Sequence, residues 1–259
     1  MNAAAHRPLT GVSVLITRPL HQAERVAQVI AAAGGEPMVF PTIEIQPIEN
    51  RAPLEAIFDR LDDYQLAIFV SANAVQSSLP LLLERRKIPP GLACAAVGSA
   101  TRAALEGFSV TGVLAPTERH DSEALLALPE LQAVAGKRVL IFRGESGREV
   151  IAETLRGRGA QVDYAVCYRR VRPRTDTTAL AARWREGHVH AVSAMSLESL
   201  KNLYDMLDES TQKRLAVTPV FVPHARIAEE SKKLGITDVR VTGHSDNALI
   251  ESLTPCRKP

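Results

Sequence analysis

Apolar residues of this chain follow two patterns that alternate along its length. Short continuous apolar runs, at residues 14–16 and 139–141, predict strands that are buried on both faces. The segment after the first run places Ala23, Val26 and Ile30 three and four residues apart, which predicts an amphipathic helix. Alternation of buried strands and helices predicts an α/β protein with parallel sheets that carry helices on both faces.

The chain also contains an internal duplication. The stretch "GVSVLITRPLHQAERVAQVIAAAGG" at residues 11–35 aligns without a gap with "GKRVLIFRGESGREVIAETLRGRGA" at 136–160, so that Arg18 corresponds to Arg143. Three further pairs of segments follow in the same order: 66–82 with 189–203, 95–105 with 220–230, and 121–128 with 245–253. We therefore expect two homologous halves.

Two extended segments bear on how these halves combine. Residues 41–47 and 166–173 follow the two copies and are bracketed by prolines, and their alternating character predicts two connectors that pair as a ribbon. In a tandem arrangement the domains would be 11–128 and 136–253. In a swapped arrangement residues 11–35 would join the segments within 189–253, and residues 136–160 would join the segments within 66–128. The pattern by itself leaves both arrangements open.

Composition narrows the class of protein. The 259 residues include 31 Lys and Arg against 29 Asp and Glu, and this net charge of +2 is too small to predict a nucleic-acid partner. The three cysteines form no CxxC pair, which favours a reduced, cytoplasmic setting without structural zinc. Residues 1–10 lack the apolar region of a signal peptide, and no apolar run approaches the ~18 residues of a membrane span. We expect no membrane partner.

Hydroxyl, glycine and arginine residues follow the predicted strands. These segments are residues 17–19, 71–73, 98–101, 143–148, 193–196, 223–226 and 243–246. The carboxyl ends of parallel strands meet at one edge of a sheet, where helix N-termini favour anions. A single serine at such a position, such as Ser71, Ser99, Ser193 or Ser245, is more often a helix cap than a ligand contact. As a set, the segments predict a rim that binds an anionic ligand.

Familiar catalytic motifs are missing from the sequence. "RGESGR" at residues 143–148 has neither the P-loop nor the GxGxxG spacing, although its glycines allow close backbone approach and its arginines suit carboxylates. There is no GxSxG motif, and His188 and His190 have no third metal ligand nearby. Tyr168 lies where the chain leaves the second copy and can offer a titratable hydroxyl, or it can be a packed connector residue.

Several of these stretches together resemble one family. "VLITRPLHQAERVAQVIAAAGGEPMVFPTIEIQP", "IFVSANAV", "AAVGSATRAAL" and "GKRVLIFRGESGREVIAETLRGRGAQVDYAVCYRRVRP" are similar to uroporphyrinogen-III synthases of the bacterial type, over about residues 11–253. The resemblance implies two similar three-layer α/β/α domains with parallel sheets, segment-swapped, joined by a two-stranded β ladder, with the active site in the cleft. The implied domains are 1–40 plus 174–259 and 48–165, with linkers 41–47 and 166–173.

The resemblance also implies an activity. The substrate is hydroxymethylbilane, which is cyclised to uroporphyrinogen III with loss of water and inversion of ring D, in haem biosynthesis. No cofactor or metal is implied, and we expect a monomer. Tyr168 matches the position of the family's usual candidate for the catalytic acid. The expected substrate-binding residues are Thr17, Arg18, Ser71, Ala72, Asn73, Ser99, Ala100, Thr101, Arg143, Gly144, Glu145, Ser146, Ser193, His224, Ala225 and Arg226.

Two loops depart from the family pattern. Ala194 and Met195 follow Ser193 where the family often has Thr-Ser, and His224 to Arg226 stand where hydroxyl residues are common. The alternative hypothesis is a non-catalytic two-domain protein that binds or senses a small anion. A two-domain glycosyltransferase is disfavoured, because each half is small and no nucleotide-binding signature is visible.

Overall fold

A computed structural model describes residues 7–117, 121–243 and 245–254. These residues form two sheets, with helices between most consecutive strands. The strands are β1 (Ser13–Ile16), β2 (Glu36–Val39), β3 (Glu44–Pro47), β4 (Leu66–Phe69), β5 (Ala93–Ala96), β6 (Arg138–Gly144), β7 (Gln161–Val171), β8 (Ala191–Ser193), β9 (Val220–Val222) and β10 (Val239–Val241).

The helices cover the faces of these sheets. They are α1 (Leu20–Ala32), α2 (Ala52–Asp59), α3 (Ala72–Arg85), α4 (Ser99–Gly107), α5 (Ser122–Leu126), α6 (Pro129–Gln132), α7 (Val150–Gly157), α8 (Thr178–Arg185), α9 (Leu197–Met206), α10 (Glu209–Leu215), α11 (Ala225–Lys232) and α12 (Asp246–Leu253), with a 3-10 turn at Leu61–Asp63. Within the described ranges, no helix combines the length and the apolar character needed to cross a membrane.

The chain divides into two compact units. The first unit comprises Met1–Glu44 and Val171–Pro259, and the second comprises Ile45–Arg170. The sheet of the first unit has the strand order β10-β9-β8-β1-β2, and the sheet of the second unit has the order β3-β7-β6-β4-β5. The domain bounds expected from the family resemblance stay a prediction.

Strand pairing decides between the tandem and the swapped arrangement. β1 pairs in parallel with β8, with Val14 opposite Ala191, and β6 pairs in parallel with β4, with Val139 opposite Leu66. Each copy of the duplicated first segment therefore lies in a sheet with the later segments of the other half. The predicted α/β class with parallel sheets is confirmed, and the swapped order is the one observed.

Alternation along the central strands explains the three layers. In β6, Leu140 and Phe142 pack with α2 and α3, whereas Val139 and Ile141 pack with α5 and α7 on the opposite face. The rings of Phe69 and Phe142 on neighbouring strands stack with centroids 4.3 Å apart. The first unit repeats the arrangement around β1. Because both faces of each sheet are covered, the central strands carry continuous apolar runs.

The two extended segments lie in one sheet. The second is the last part of β7, which runs without interruption from Gln161 to Val171. β3 lies beside it as the edge strand of the same sheet. The physical reason is that β-branched and aromatic residues continue through this stretch, and Pro173 is the first residue after residue 161 that cannot donate a ladder hydrogen bond.

Several segments expected to be loops belong to regular elements. Arg143 and Gly144 are the last residues of β6, and Ser193 ends β8. Helices also begin earlier than predicted, and they include these residues in their first turns: Ala72, Asn73, Ser99, Ala100, Thr101, Ala225 and Arg226. The unpaired N–H groups in the first turn of a helix can be satisfied by a cap one residue upstream. A helix can therefore start directly after a strand, and polar residues at this point do not by themselves indicate a loop.

The caps themselves are partly as predicted. Ser71 and Ser245 accept hydrogen bonds from the backbone N–H groups of Ala74 and Ala248, as helix N-caps do. Ser99 and Ser193 are not caps. α4 begins after Gly98, which has no side chain to cap it, and α9 is capped by Ser196.

Candidate active site

A pocket of about 240 Å³ lies in the second unit, beyond the carboxyl ends of β4 and β6. Its lining residues are Val70, Ser71, Val97, Ser122, Ile141, Arg143, Ser146, Gly147, Arg148, Ile151, Ala152, Tyr164, Tyr168 and Arg170. Apolar side chains form one part of the wall, and hydroxyl and guanidinium groups form the other. Pockets for whole small ligands measure roughly 300–1,000 Å³, so this pocket suits one portion of a large ligand.

Tyr168 is the buried hydroxyl of this pocket. Its side chain is only 2% exposed, and its hydroxyl lies 3.2 Å from the Oγ of Ser71. The backbone carbonyl of Tyr168 accepts a hydrogen bond from the N–H of Glu145 at 3.0 Å, which ties β7 to the turn after β6. The phenol is thus held by both its side chain and its backbone.

A bulge and a glycine decide where the ring lies. The register between β6 and β7 shifts after Arg143, so that Gly144 stands opposite Tyr168. A Cβ at Gly144 would lie 2.9 Å from two atoms of the Tyr168 ring, closer than van der Waals contact allows. Gly144 therefore contributes space for the ring rather than a group that binds ligand.

Ser71 connects the phenol to a helix N-terminus. Its Oγ accepts the N–H of Ala74 at 3.2 Å, and its own hydrogen is left to be shared with Tyr168. Since either oxygen of the pair can donate, the Ser71 hydroxyl is placed to donate to the phenolic oxygen when Tyr168 gives up its proton. The pair is able to deliver a proton to a group in the pocket.

Arg143 supplies the buried cation. Its side chain is 8% exposed, its Nη1 donates to Glu149 Oε1 at 2.6 Å, and its guanidinium lies 4.7 Å from the centre of the Tyr164 ring. The Tyr164 hydroxyl donates to the other carboxylate oxygen of Glu149. These bonds, from Tyr164 first and Arg143 second, lower the pKa of Glu149. Burial, followed by the bond to Glu149, raises the pKa of Tyr164.

The prediction missed two members of this cluster. Glu149 follows the strand-end Arg143 closely in the sequence, and this proximity of an acid to an arginine could have indicated that the two side chains form an ion pair. Tyr164 shares the strand β7 with Tyr168, but only the pairing with β6 brings its ring under Arg143. Ser122 and Arg170 also line the pocket and were not predicted.

The structure brings four of the predicted residues to the pocket wall, namely Ser71, Arg143, Ser146 and Tyr168. Gly144 lies behind the Tyr168 ring. The other expected residues of the second unit, Ala72, Asn73, Ser99, Ala100, Thr101 and Glu145, are not part of the lining. Asn73 and Thr101 are buried, whereas Ser99, Ala100 and Glu145 are exposed.

In the first unit, the predicted side chains of Thr17 and Arg18 bind their own chain. The N–H and Oγ1 of the buried Thr17 both donate to the carbonyl of Ser193, at 3.2 and 3.0 Å. Arg18 donates to Asp246 at 3.1 Å, with both side chains about one-seventh exposed. His224, Ala225 and Arg226 are exposed at the start of α11. In this unit the Thr17 hydroxyl holds two strands together, and Arg18 is paired with a carboxylate.

The rings of the two histidines considered as metal ligands have different partners. His190 Nδ1 accepts the N–H of Ser13 at 3.0 Å, and His188 lies near Glu186. Within the described part of the chain, no group of three or more His, Cys, Asp or Glu side chains is placed to hold a metal ion.

Two duplicated α/β units with swapped first segments, and a pocket lined by arginine and hydroxyl side chains at one sheet edge, define a class of two-unit α/β proteins. Solved structures share this fold. Uroporphyrinogen III synthase from Thermus thermophilus, in a mutant form, superimposes with a TM-score of 0.60 at 14% identity and covers 95% of this chain and 98% of its own. The enzyme from Helicobacter pylori gives 0.59 at 16% identity, covering 95% and 100%.

The sequence comparisons identify the family. The profile of the family described as uroporphyrinogen-III synthase HemD matches residues 24–251. The uroporphyrinogen-III synthases of Escherichia coli and Salmonella typhimurium are each 34% identical over 245 residues, which is 93% of this chain and 100% of theirs. This chain belongs to the uroporphyrinogen-III synthase family. The predicted family and enzyme class, a cyclising lyase of tetrapyrrole biosynthesis, are confirmed, and nothing in these relatives supports a non-catalytic sensor.

Proposed function

We propose that this chain performs the reaction of its family by using Tyr168 as the acid: hydroxymethylbilane is closed to uroporphyrinogen III, with loss of water and inversion of ring D. The observation that supports this role is the buried Tyr168 hydroxyl, 3.2 Å from Ser71 Oγ in a pocket that also contains an arginine. Departure of the substrate hydroxyl as water requires an acid that releases a proton, and the Tyr168 hydroxyl can do so.

The proposed step begins at the substrate's hydroxymethyl group. The phenol of Tyr168 donates its proton to the leaving hydroxyl, which departs as water and leaves an electrophilic azafulvene. Ser71 then donates a hydrogen bond to the phenolate. The substituted α-carbon of ring D attacks the methylene carbon of the azafulvene and forms a spiro intermediate. The bond from this α-carbon to the bridge carbon of ring C then breaks, and the bridge carbon bonds to the unsubstituted α-carbon of ring D, so that the ring is inverted. The proton that the ring loses on recovering its aromaticity restores Tyr168.

The rest of the proposed catalysis consists mainly of orienting the linear substrate. The substrate is intrinsically reactive, so holding ring D for attack at its substituted position decides which isomer forms. Its acetate and propionate carboxylates require donors, and Arg143 is the buried cation of the pocket. The predicted assignments outside the pocket, which include Thr17, Arg18, Ser193 and residues 224–226, are kept as part of this proposal. So are a monomeric state and a cytoplasmic location.

The test is an isomer assay. Purified protein receives hydroxymethylbilane from a coupled supply, the products are oxidised, and the porphyrin isomers are separated by chromatography. We expect isomer III to predominate with the protein and isomer I to predominate in the control without it. Predominance of isomer I in both reactions would overturn the proposed function.

A further inference from the structure

Glu149 contacts the pocket without lining it. Both of its partners, Arg143 and Tyr164, belong to the pocket wall, whereas Glu149 is absent from the lining. Its Oε1 accepts from Arg143 at 2.6 Å and its Oε2 accepts from Tyr164. The Glu149 side chain is 47% exposed against 8% for Arg143, so a solvent-accessible carboxylate holds a buried guanidinium.

The guanidinium of Arg143 is confined on further sides. The Tyr164 ring lies 4.7 Å below it, and Arg156 lies over the same ring at 5.4 Å. A Cβ at Gly147 would come within 3.0 Å of Arg143 Nη2, so this glycine leaves room at the second edge of the guanidinium. Among the described residues, the hydrogen bond from the Arg143 guanidinium is donated by Nη1, to Glu149. The N–H groups on Nε and Nη2 are therefore available to an anion in the pocket.

We propose that Glu149, supported by the Tyr164 hydroxyl, is a positioning residue that holds Arg143 in the orientation needed to bind one carboxylate of the substrate. This inference rests on the proposed function. A flexible arginine loses rotamer freedom when it binds, and a guanidinium that is already fixed loses less. Displacement of Glu149 by the substrate is disfavoured, because it would break the bonds to Arg143 and Tyr164 together.

The ionisation of Glu149 supports a permanent role. The bonds from Tyr164 and Arg143 lower its pKa, so it remains a carboxylate at neutral pH. A permanent carboxylate on one edge of Arg143 offsets the cost of keeping a nearly buried cation in the free protein. The other edge then binds substrate without any rearrangement of the cluster.

The test compares Glu149→Gln with Glu153→Gln, which removes an exposed carboxylate from α7, the helix that Glu149 precedes. If Arg143 binds a substrate carboxylate equally strongly in the ground state and the transition state, weakening this interaction raises KM and leaves kcat unchanged. For Glu149→Gln we expect KM for hydroxymethylbilane to rise about tenfold with kcat within about twofold. Tyr164→Phe, which keeps the ring and removes the hydroxyl, should raise KM roughly threefold. Glu153→Gln should match the parent protein.

Other results would overturn the inference. An unchanged KM in Glu149→Gln shows that Arg143 does not need the carboxylate. A lower KM shows that Glu149 competes with the substrate. If Glu149→Gln does not fold, judged by its thermal unfolding, Tyr164→Phe decides by the same KM criterion. Failure of the parent protein to form isomer III is a separate outcome, because it overturns the proposed function and not the positioning alone.

Discussion

Arg18 and Arg143 occupy the same position in the two copies of the duplicated segment, yet their surroundings differ. Arg18 is paired with Asp246, whose side chain is as buried as its own. Arg143 is paired with the half-exposed Glu149 and forms part of a pocket wall. One pair ties two elements of the first unit together. The other leaves an edge of the guanidinium for ligand.

The turn that follows each arginine accounts for the difference. In the first copy Pro19 acts as the N-cap residue and α1 starts at Leu20. In the second copy α7 starts only at Val150, and the intervening residues form part of the pocket. Gly144 takes the place of Pro19 and leaves space for Tyr168. Duplication therefore preserved the strand and the helix, whereas the turn between them differs, and in the second copy this turn lines the pocket.

The largest expected effect is loss of the Tyr168 hydroxyl. Tyr168→Phe removes the proposed acid, so kcat should fall by about a hundredfold or more while the fold is kept. The control is Tyr204→Phe in α9 of the first unit, where the Tyr204 ring packs against the apolar core, and this change should leave kcat unchanged. Turnover by isomer assay and thermal unfolding check both variants. Full activity of Tyr168→Phe would show that this residue is not the acid. It would also remove the main reason for assigning the catalytic role to the second unit.

The second effect concerns the space next to Tyr168. Gly144→Ala places a Cβ 2.9 Å from the ring, so the phenol or the end of β6 must move. We expect kcat to fall about tenfold, as for a misplaced catalytic group. The control is Gly157→Ala, where a Cβ meets nothing within 4 Å. Equal kcat values for the two variants would show that the ring position is not critical.

The smallest effect distinguishes the two arginines. Arg18→Gln leaves Asp246 without its nearer cation, and we expect a loss of about 1–2 kcal/mol in the free energy of unfolding. Asp246→Asn should cost a similar amount. The rise in KM for Arg18→Gln should be smaller than for Arg143→Gln. A larger rise in KM for Arg18→Gln would reverse the comparison. Denaturant unfolding and steady-state kinetics provide the two measurements.

Sequence reasoning found Ser71 and Arg143 of the pocket wall because they lie at or just after the end of a recognisable apolar strand. The family resemblance singled out Tyr168. Sequence reasoning missed Glu149 and Tyr164, whose contact depends on the way the turn after β6 folds back over β7. A strand-end position is visible in a sequence, but the direction in which the residue's groups point is not.

The sequence by itself determined the alternation of buried strands and amphipathic helices, the duplication, and the family, because these depend on the periodicity and order of residues. Only the tertiary structure decided that β1 pairs with β8 and β6 with β4, that β7 continues to Val171, and that the register shift places Gly144 opposite Tyr168. The physical reason is the range of the interactions. Periodicity reports local burial, whereas strand partners, register and the contacts of buried polar groups depend on segments distant in the chain.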